Sequence, residues 1–190
     1  NSWTGSAIKV RRSNDNVEQN IGFDASGNLD TTALTTFVGA NNISLYSEEL
    51  DNAYWIKKLT TVTSNQTTAP DGTMTADVLA PDGTADQNQL RAPDILAGTY
   101  TWSCYAKAKG YSKMWLSVYN GTDGYTSVEA DLLAGTVTSG SRDPDCGIEA
   151  HGNGWYRVWM ASTITGNTGF GGMQIRTTWS DGTIDQDIYI

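Results

Sequence analysis

Residues 98–119 read GTYTWSCYAKAKGYSKMWLSVY, and this stretch decides the fold class. Its first arm sets Tyr100, Trp102, Cys104 and Ala106 against Thr101, Ser103, Tyr105 and Lys107. Its second arm sets Met114, Leu116 and Val118 against Trp115, Ser117 and Tyr119. Successive side chains leave a strand on opposite sides, so alternation of this kind marks strands with one buried face. The reading is a hairpin: two strands joined by a short turn, the first set of each arm facing a core. The opposite face is not simply polar. Tyr105, Trp115 and Tyr119 stand there among Ser and Lys, and rings displayed beside polar groups suit a surface that holds a partner.

Toward the C-terminus the same texture continues through TSVEADLLAGTVTS, CGIEAHGNGWYRVWMASTIT, GGMQIRTTW and IDQDIYI. Toward the N-terminus lie QLRAPDI, a short strand at 76–79 between two Pro-Asp-Gly turns, the long alternating DNAYWIKKLTTVTSNQT and the entering strand ISLYSEEL. About nine or ten strands punctuated by Gly, Asn and Asp, with no long helix, predict an all-β jelly-roll β-sandwich of two antiparallel sheets. Uneven strand lengths and long connections disfavour an up-and-down barrel. Residues 1–42 differ: AIKVRR and QNIGF read as short strands, and Leu29, Ala33, Leu34, Phe37 and Val38 at helical spacing predict a helix between Asp30 as N-cap and Gly39 as C-cap. This strand–strand–helix element is too small to fold alone, so it is expected to dock on residues 43–190 or on a partner chain.

The 190 residues carry a formal net charge of −9. That balance excludes nucleic acid, whose phosphates need clustered Lys and Arg, and equally an anionic membrane surface. No apolar run approaches the ~18–20 residues of a membrane span. The start, NSWTGSAIKV, is not a signal peptide and reads as a trimmed piece of a longer chain. Cys104 sits mid-strand as a small buried hydrophobe and Cys146 in the turn-like RDPDCG; whether they pair is left open. Asn42, Asn65 and Asn120 head Asn-x-Ser/Thr sequons, which matter only for a secreted eukaryotic chain.

Little in the chain suggests catalysis. The single histidine, His151, precedes a strand in the loop EAHGNGW, where a nucleophile–His arrangement would have to be built on it. Asp71, Asp82, Asp123 and Asp181 each precede a Gly and read as turn-shaping residues. Glu129 and Asp131 share a strand face and are the one pair that a glycosidase reading would use. No phosphate-binding loop, dinucleotide glycine motif or paired CxxC spacing occurs. The expectation is that the chain is not an enzyme.

The order SLYSEELDNAYWIKK, TVTSNQTTAPDGTMTADVL, GTYTWSCYAKA, GNGWYRVWMASTI and DIYI resembles the carbohydrate-binding-module-like jelly rolls of structural and tail proteins of tailed bacteriophages, over residues 43–190. The leader AIKVRRSNDNVEQNIGF to GNLDTTALTTFVGA resembles a segment upstream of lectin-like phage domains and of fungal arabinofuranosidase relatives, whose catalytic sandwich is absent here. The resemblance implies a non-catalytic module that recognises host cell-surface polysaccharide. It also implies location in a virion, extracellular after release, and contact with other virion subunits in a homo-oligomer. The competing readings are a capsid-decorating or tail-assembly domain without glycan binding and, third, a fragment of a glycoside hydrolase. The resemblance further implies a structural Ca²⁺ where the first and last strands meet, with Glu48 or Glu49, Asp77, and Asp185 or Asp187 as ligands.

Sugars offer C–H faces that stack on rings and hydroxyls that seek planar polar partners, so a sugar-binding face interleaves exposed aromatics with Arg, Gln, Asn, Asp and Lys. The off-core positions of four strands supply Tyr105, Trp115, Tyr119, Arg157, Trp159, Gln174 and Arg176 as the candidate carbohydrate face. Ser103, Lys107, Ser117 and Thr178 lie beside them, while Val158, Met160, Met173 and Ile175 face the core. A one-residue slip would reverse that phase, and in a jelly roll alternate strands fall on different sheets. The same rings could instead cover a sheet edge, pack on residues 1–42 or form a subunit interface.

Overall fold

The computed structural model describes residues 8–11, 18–21, 42–84, 88–165, 172–177 and 187–190. The chain divides into two compact units, Asn1–Ile43 and Ser44–Ile190. In the first, β1 (Ile8–Arg11) and β2 (Glu18–Ile21) pair antiparallel, with Ile8 opposite Ile21. The helix expected between Asp30 and Gly39 lies outside the described residues.

The second unit is a sandwich of two six-stranded antiparallel sheets. Sheet I runs β10 (Thr136–Ser139), β9 (Tyr125–Asp131), β8 (Lys113–Tyr119), β13 (Met173–Arg176), β6 (Gln89–Arg91), β3 (Ile56–Lys58). Sheet II runs β11 (Asp145–Ala150), β12 (Trp155–Ile164), β7 (Gly98–Ala108), β14 (Ile188–Tyr189), β5 (Ala76–Pro81), β4 (Thr60–Thr67). The chain passes repeatedly from one sheet to the other, and its last two strands insert into the middle of each. This is the all-β sandwich of two antiparallel sheets that the sequence predicts. A single core lies between the sheets: Met114, Leu116, Val118, Val128, Met173 and Ile175 from sheet I meet Leu79, Ala106, Val158, Met160 and Ile188 from sheet II. Each of these Met, Leu, Val and Ile side chains contributes about 1.5–3 kcal/mol by leaving water.

Residues 98–119 are two strands but not a hairpin. β7 belongs to sheet II and β8 to sheet I, so their apolar faces meet across the core instead of lying side by side. Alternation specifies which face is buried, and both arrangements satisfy it equally. The segment 43–50, expected as an entering strand, forms turns. The carbonyls of Tyr46, Glu49 and Asn52 accept bonds from the amides of Glu49, Asn52 and Trp55, and the Trp55 indole donates to Tyr46 O at 2.9 Å. These local bonds anchor Leu50 and Trp55 in the core and leave Leu45 and Tyr46 exposed. The long strand expected after it is broken at Leu59, whose φ of 52° turns the chain from sheet I into sheet II.

The Asp-Gly turns at Asp71 and Asp82 behave as read, and Asp181 lies outside the described residues. Asp71 Oδ1 accepts from the Thr73 amide and Asp82 Oδ1 from the Thr84 amide, each at 2.9 Å, and the first of these bonds holds the Asp71 carboxyl below its ordinary pKa. Cys104 and Cys146 are both free thiols. They lie two strands apart in sheet II, Cys104 opposite Val158 and Cys146 opposite Met160. With about 4.8 Å per strand that separation exceeds disulfide reach. Burial pushes the Cys104 thiol up to about 12. The Asn120 side chain is fully engaged, donating to Thr163 O at 3.1 Å and accepting from the Thr165 amide at 2.8 Å, so this sequon is closed to modification in the folded chain.

Asp77 ties the last residues to the sandwich. Its backbone exchanges two bonds with Ile190, at 2.8 and 2.9 Å, and its buried carboxylate accepts from the amides of Asn65 and Leu50. Burial raises its pKa above 3.8, and Asp51 nearby adds to the rise, against the pull of the two amides. The folded state therefore favours the protonated carboxyl. The stability this contributes is present at acid pH and is lost as pH rises through the raised value. Asp77→Asn should accordingly gain on wild type as pH is raised from about 4 to 7. Thermal melts of both proteins across that range check this; a difference in melting temperature that is flat or falls with pH contradicts it.

Candidate functional site

The β11–β12 hairpin sets the geometry of the outer face of sheet II. Its turn, Gly152-Asn153-Gly154, holds three successive residues at φ of 77°, 51° and 80°. Two glycines and an asparagine are the residue types that accept such left-handed angles. The turn fixes the register Ala150 with Tyr156, Glu149 with Arg157 and Gly147 with Trp159. On the other side of β12, β7 sets Tyr105 opposite Arg157 and Ser103 opposite Trp159. Because Tyr156, Val158 and Met160 pack on the core, Arg157 and Trp159 leave by the outer surface.

There the Trp159 indole lies across β11. A Cβ at Gly147 would stand 2.6–2.7 Å from its Nε1, Cε2 and Cζ2, so the ring occupies the space that any side chain at 147 would need. Beside it, both Glu149 carboxylate oxygens lie 3.4 Å from Arg157 Nη1, and Arg157 Nη2 reaches Ser103 Oγ at 3.4 Å. His151 stands edge-on to the Tyr105 ring, centroids 4.9 Å apart, with its Nε2 3.9 Å from Glu149. Tyr105 is 40% exposed. The result is an open surface of two aromatic groups with a carboxylate–guanidinium pair between them. It can stack on an apolar ligand face and exchange hydrogen bonds with hydroxyls at its rim.

Of the seven expected carbohydrate contacts, Tyr105, Arg157 and Trp159 share this surface. The other four lie on the outer side of sheet I, facing away. There Trp115 is opposite Arg176, and Tyr119 packs edge-to-face on Tyr125 with centroids 5.0 Å apart. Gln174 and Arg176 are 0% exposed. The Arg176 guanidinium lies over the Tyr125 ring at 4.6 Å and donates to Gln174 Oε1 through Nε at 3.1 Å and Nη2 at 2.5 Å. Burial lowers its pKa. These two side chains face away from the core as expected, yet they are covered and do not reach solvent. Thr178 lies outside the described residues.

The chain matches no protein-family model and no curated protein. Its own geometry therefore carries the functional reading.

Each expected calcium ligand among the described residues has its own surroundings. Glu48 is exposed on the turns of residues 45–55, Asp77 is held by backbone amides, and Asp187 pairs with Lys109 Nζ at 2.6 Å. Asp185 lies outside the described residues, and among the described residues no three His, Cys, Asp or Glu side chains converge as a metal set. The paired acids of β9 have structural partners: Glu129 binds Lys113 at 2.6 Å, and Asp131 accepts from the amides of Leu133 and Ala134. Those last two bonds hold its carboxyl below the ordinary pKa.

Gly147, Glu149 and the place of His151 beside Tyr105 do not follow from the alternation within β12 alone. The signal was available: reading His-Gly-Asn-Gly as the turn of a hairpin pairs Gly147 with Trp159 directly. Gly147→Ala tests the arrangement. The added methyl forces the indole off the sheet, so near-ultraviolet circular dichroism and tryptophan emission should change, while the melting temperature should move by no more than a few degrees for an edge-strand site. Unchanged spectra would show that the ring does not lie there.

Proposed function

We propose that the second unit is a non-catalytic carbohydrate-binding module that recognises a cell-surface polysaccharide through the outer face of sheet II. The observation that carries this reading is the Trp159 indole laid across Gly147 on the outside of the sandwich. The ring lies outside the core and is part-buried, one side resting on β11, and a pyranose offers a C–H face that matches the other side. The Glu149–Arg157 pair beside it supplies the acceptor and donor that orient hydroxyls. The resemblance of residues 43–190 to phage tail and structural modules supports a virion protein facing a bacterial host. On such a particle, weak single sites gain strength from the number of copies. The carboxylates of β9 are engaged by Lys113 and by backbone amides, which supports binding without hydrolysis.

A second reading, an assembly domain without a ligand, draws on the exposed apolar side chains Leu45, Tyr46 and Ile56 of the Ser44–Ile190 unit, a surface suited to protein contact. One experiment separates the two. On a glycan array, run with and without EDTA to read any calcium dependence, the protein should bind and Trp159→Ala should weaken binding about tenfold or more. Its melting temperature should stay near wild type. An array on which the wild-type protein binds no glycan would contradict the proposal and favour the assembly reading.

A further inference from the structure

Resting on that carbohydrate reading, we infer that Glu149 acts as a charge filter, restricting the face to uncharged glycans. A guanidinium beside a stacking ring can serve two kinds of ligand. Its planar fork binds a sugar carboxylate with high preference if its charge is unmet, or hydroxyl oxygens if it is already neutralised. The hairpin register decides between them, because Glu149 is the residue directly opposite Arg157. Both carboxylate oxygens sit 3.4 Å from Nη1, while Ser103 takes Nη2.

The pair is half-exposed, and exposed pairs of this kind add little to folding. Its effect falls instead on whatever approaches Trp159. An acidic sugar stacked on the ring would bring its carboxylate against Glu149, well inside the ~8–10 Å over which charges are felt at ordinary salt. Other charges nearby do not reverse this. Asp145 is exposed two residues beyond Gly147 and four from Glu149 along β11, and the Lys107 stem runs over Gly154 on the far side of Tyr105. His151 faces Glu149 itself. The chain as a whole carries −9, which adds repulsion at longer range. A neutral sugar meets none of this: one hydroxyl of a vicinal pair can donate to Glu149 while its neighbour accepts from Arg157. The ligand class is thus a neutral polysaccharide with vicinal ring hydroxyls, and Glu149 is the residue that sets that specificity.

The test uses the full chain and its Glu149→Gln variant on an array that carries neutral hexose oligosaccharides together with uronic- and sialic-acid oligosaccharides. Wild type should bind neutral chains and bind acidic ones only weakly. Glu149→Gln should raise the ratio of acidic to neutral binding at least about tenfold, whatever its loss on neutral chains. Should the variant fail to fold, the wild type still decides the matter, since its residual binding to acidic chains should rise with added salt as the repulsion is screened. Equal wild-type binding to both classes, a folded variant with no rise in that ratio, or acidic binding that falls with salt would overturn the filter and leave the carbohydrate reading standing. Binding of no glycan by either protein would remove the carbohydrate reading, and the filter with it.

Discussion

The register of one hairpin governs the outer face of sheet II. Three successive left-handed residues, Gly152, Asn153 and Gly154, close the chain so that Ala150 meets Tyr156, and every later pairing follows from that contact. It places Gly147 beneath the Trp159 indole and Glu149 beside Arg157. A slip by one residue would turn Val158 and Met160 outward and bury Trp159 and Arg157. The core forbids that slip, because Val158 and Met160 fill a space between the sheets that an arginine could not occupy unpaired.

The same core explains why two outer faces built from similar residues differ. On sheet II, β12 lies one strand from the edge, and its neighbour β11 carries a glycine and a glutamate at the outward positions. Tyr105, Glu149 and His151 there are exposed, and Arg157 and Trp159 are part-buried. On sheet I, β13 lies mid-sheet, and its outward side chains Gln174 and Arg176 are closed over. The Arg176 guanidinium is satisfied locally by the Tyr125 ring and the Gln174 amide oxygen. Buried polar groups of this kind must be paired, and the pairing itself removes them from any ligand.

How far the sequence was legible follows from these cases. Alternation in residues 98–119, 155–160 and 173–176 identified the core side of each strand, because a period of two leaves only the two phases, and the apolar set marks which is inside. It could not say which strands are neighbours, so β7 and β8 were read as a hairpin when they face each other across the core. Nor could it show that an outward side chain is covered, as for Gln174 and Arg176, since covering depends on contacts distant in the chain. The segment 43–50 shows a third limit. Its apolar residues suggest a strand, but carbonyls at Tyr46, Glu49 and Asn52 find amides three residues on, and local bonding prevails. The Asp-Gly turns at Asp71 and Asp82 are legible because their chemistry is contained within three residues.

The account stands on Trp159 being the ring that meets the ligand. The most direct measurement is a titration of the ¹⁵N-labelled protein with a neutral oligosaccharide, following the tryptophan indole N–H resonances. The Trp159 signal should shift and saturate. Those of Trp55, whose indole is bonded to Tyr46, and Trp155, bonded to Thr68, should stay in place. Movement of Trp115 on the opposite sheet with Trp159 unmoved would contradict the account.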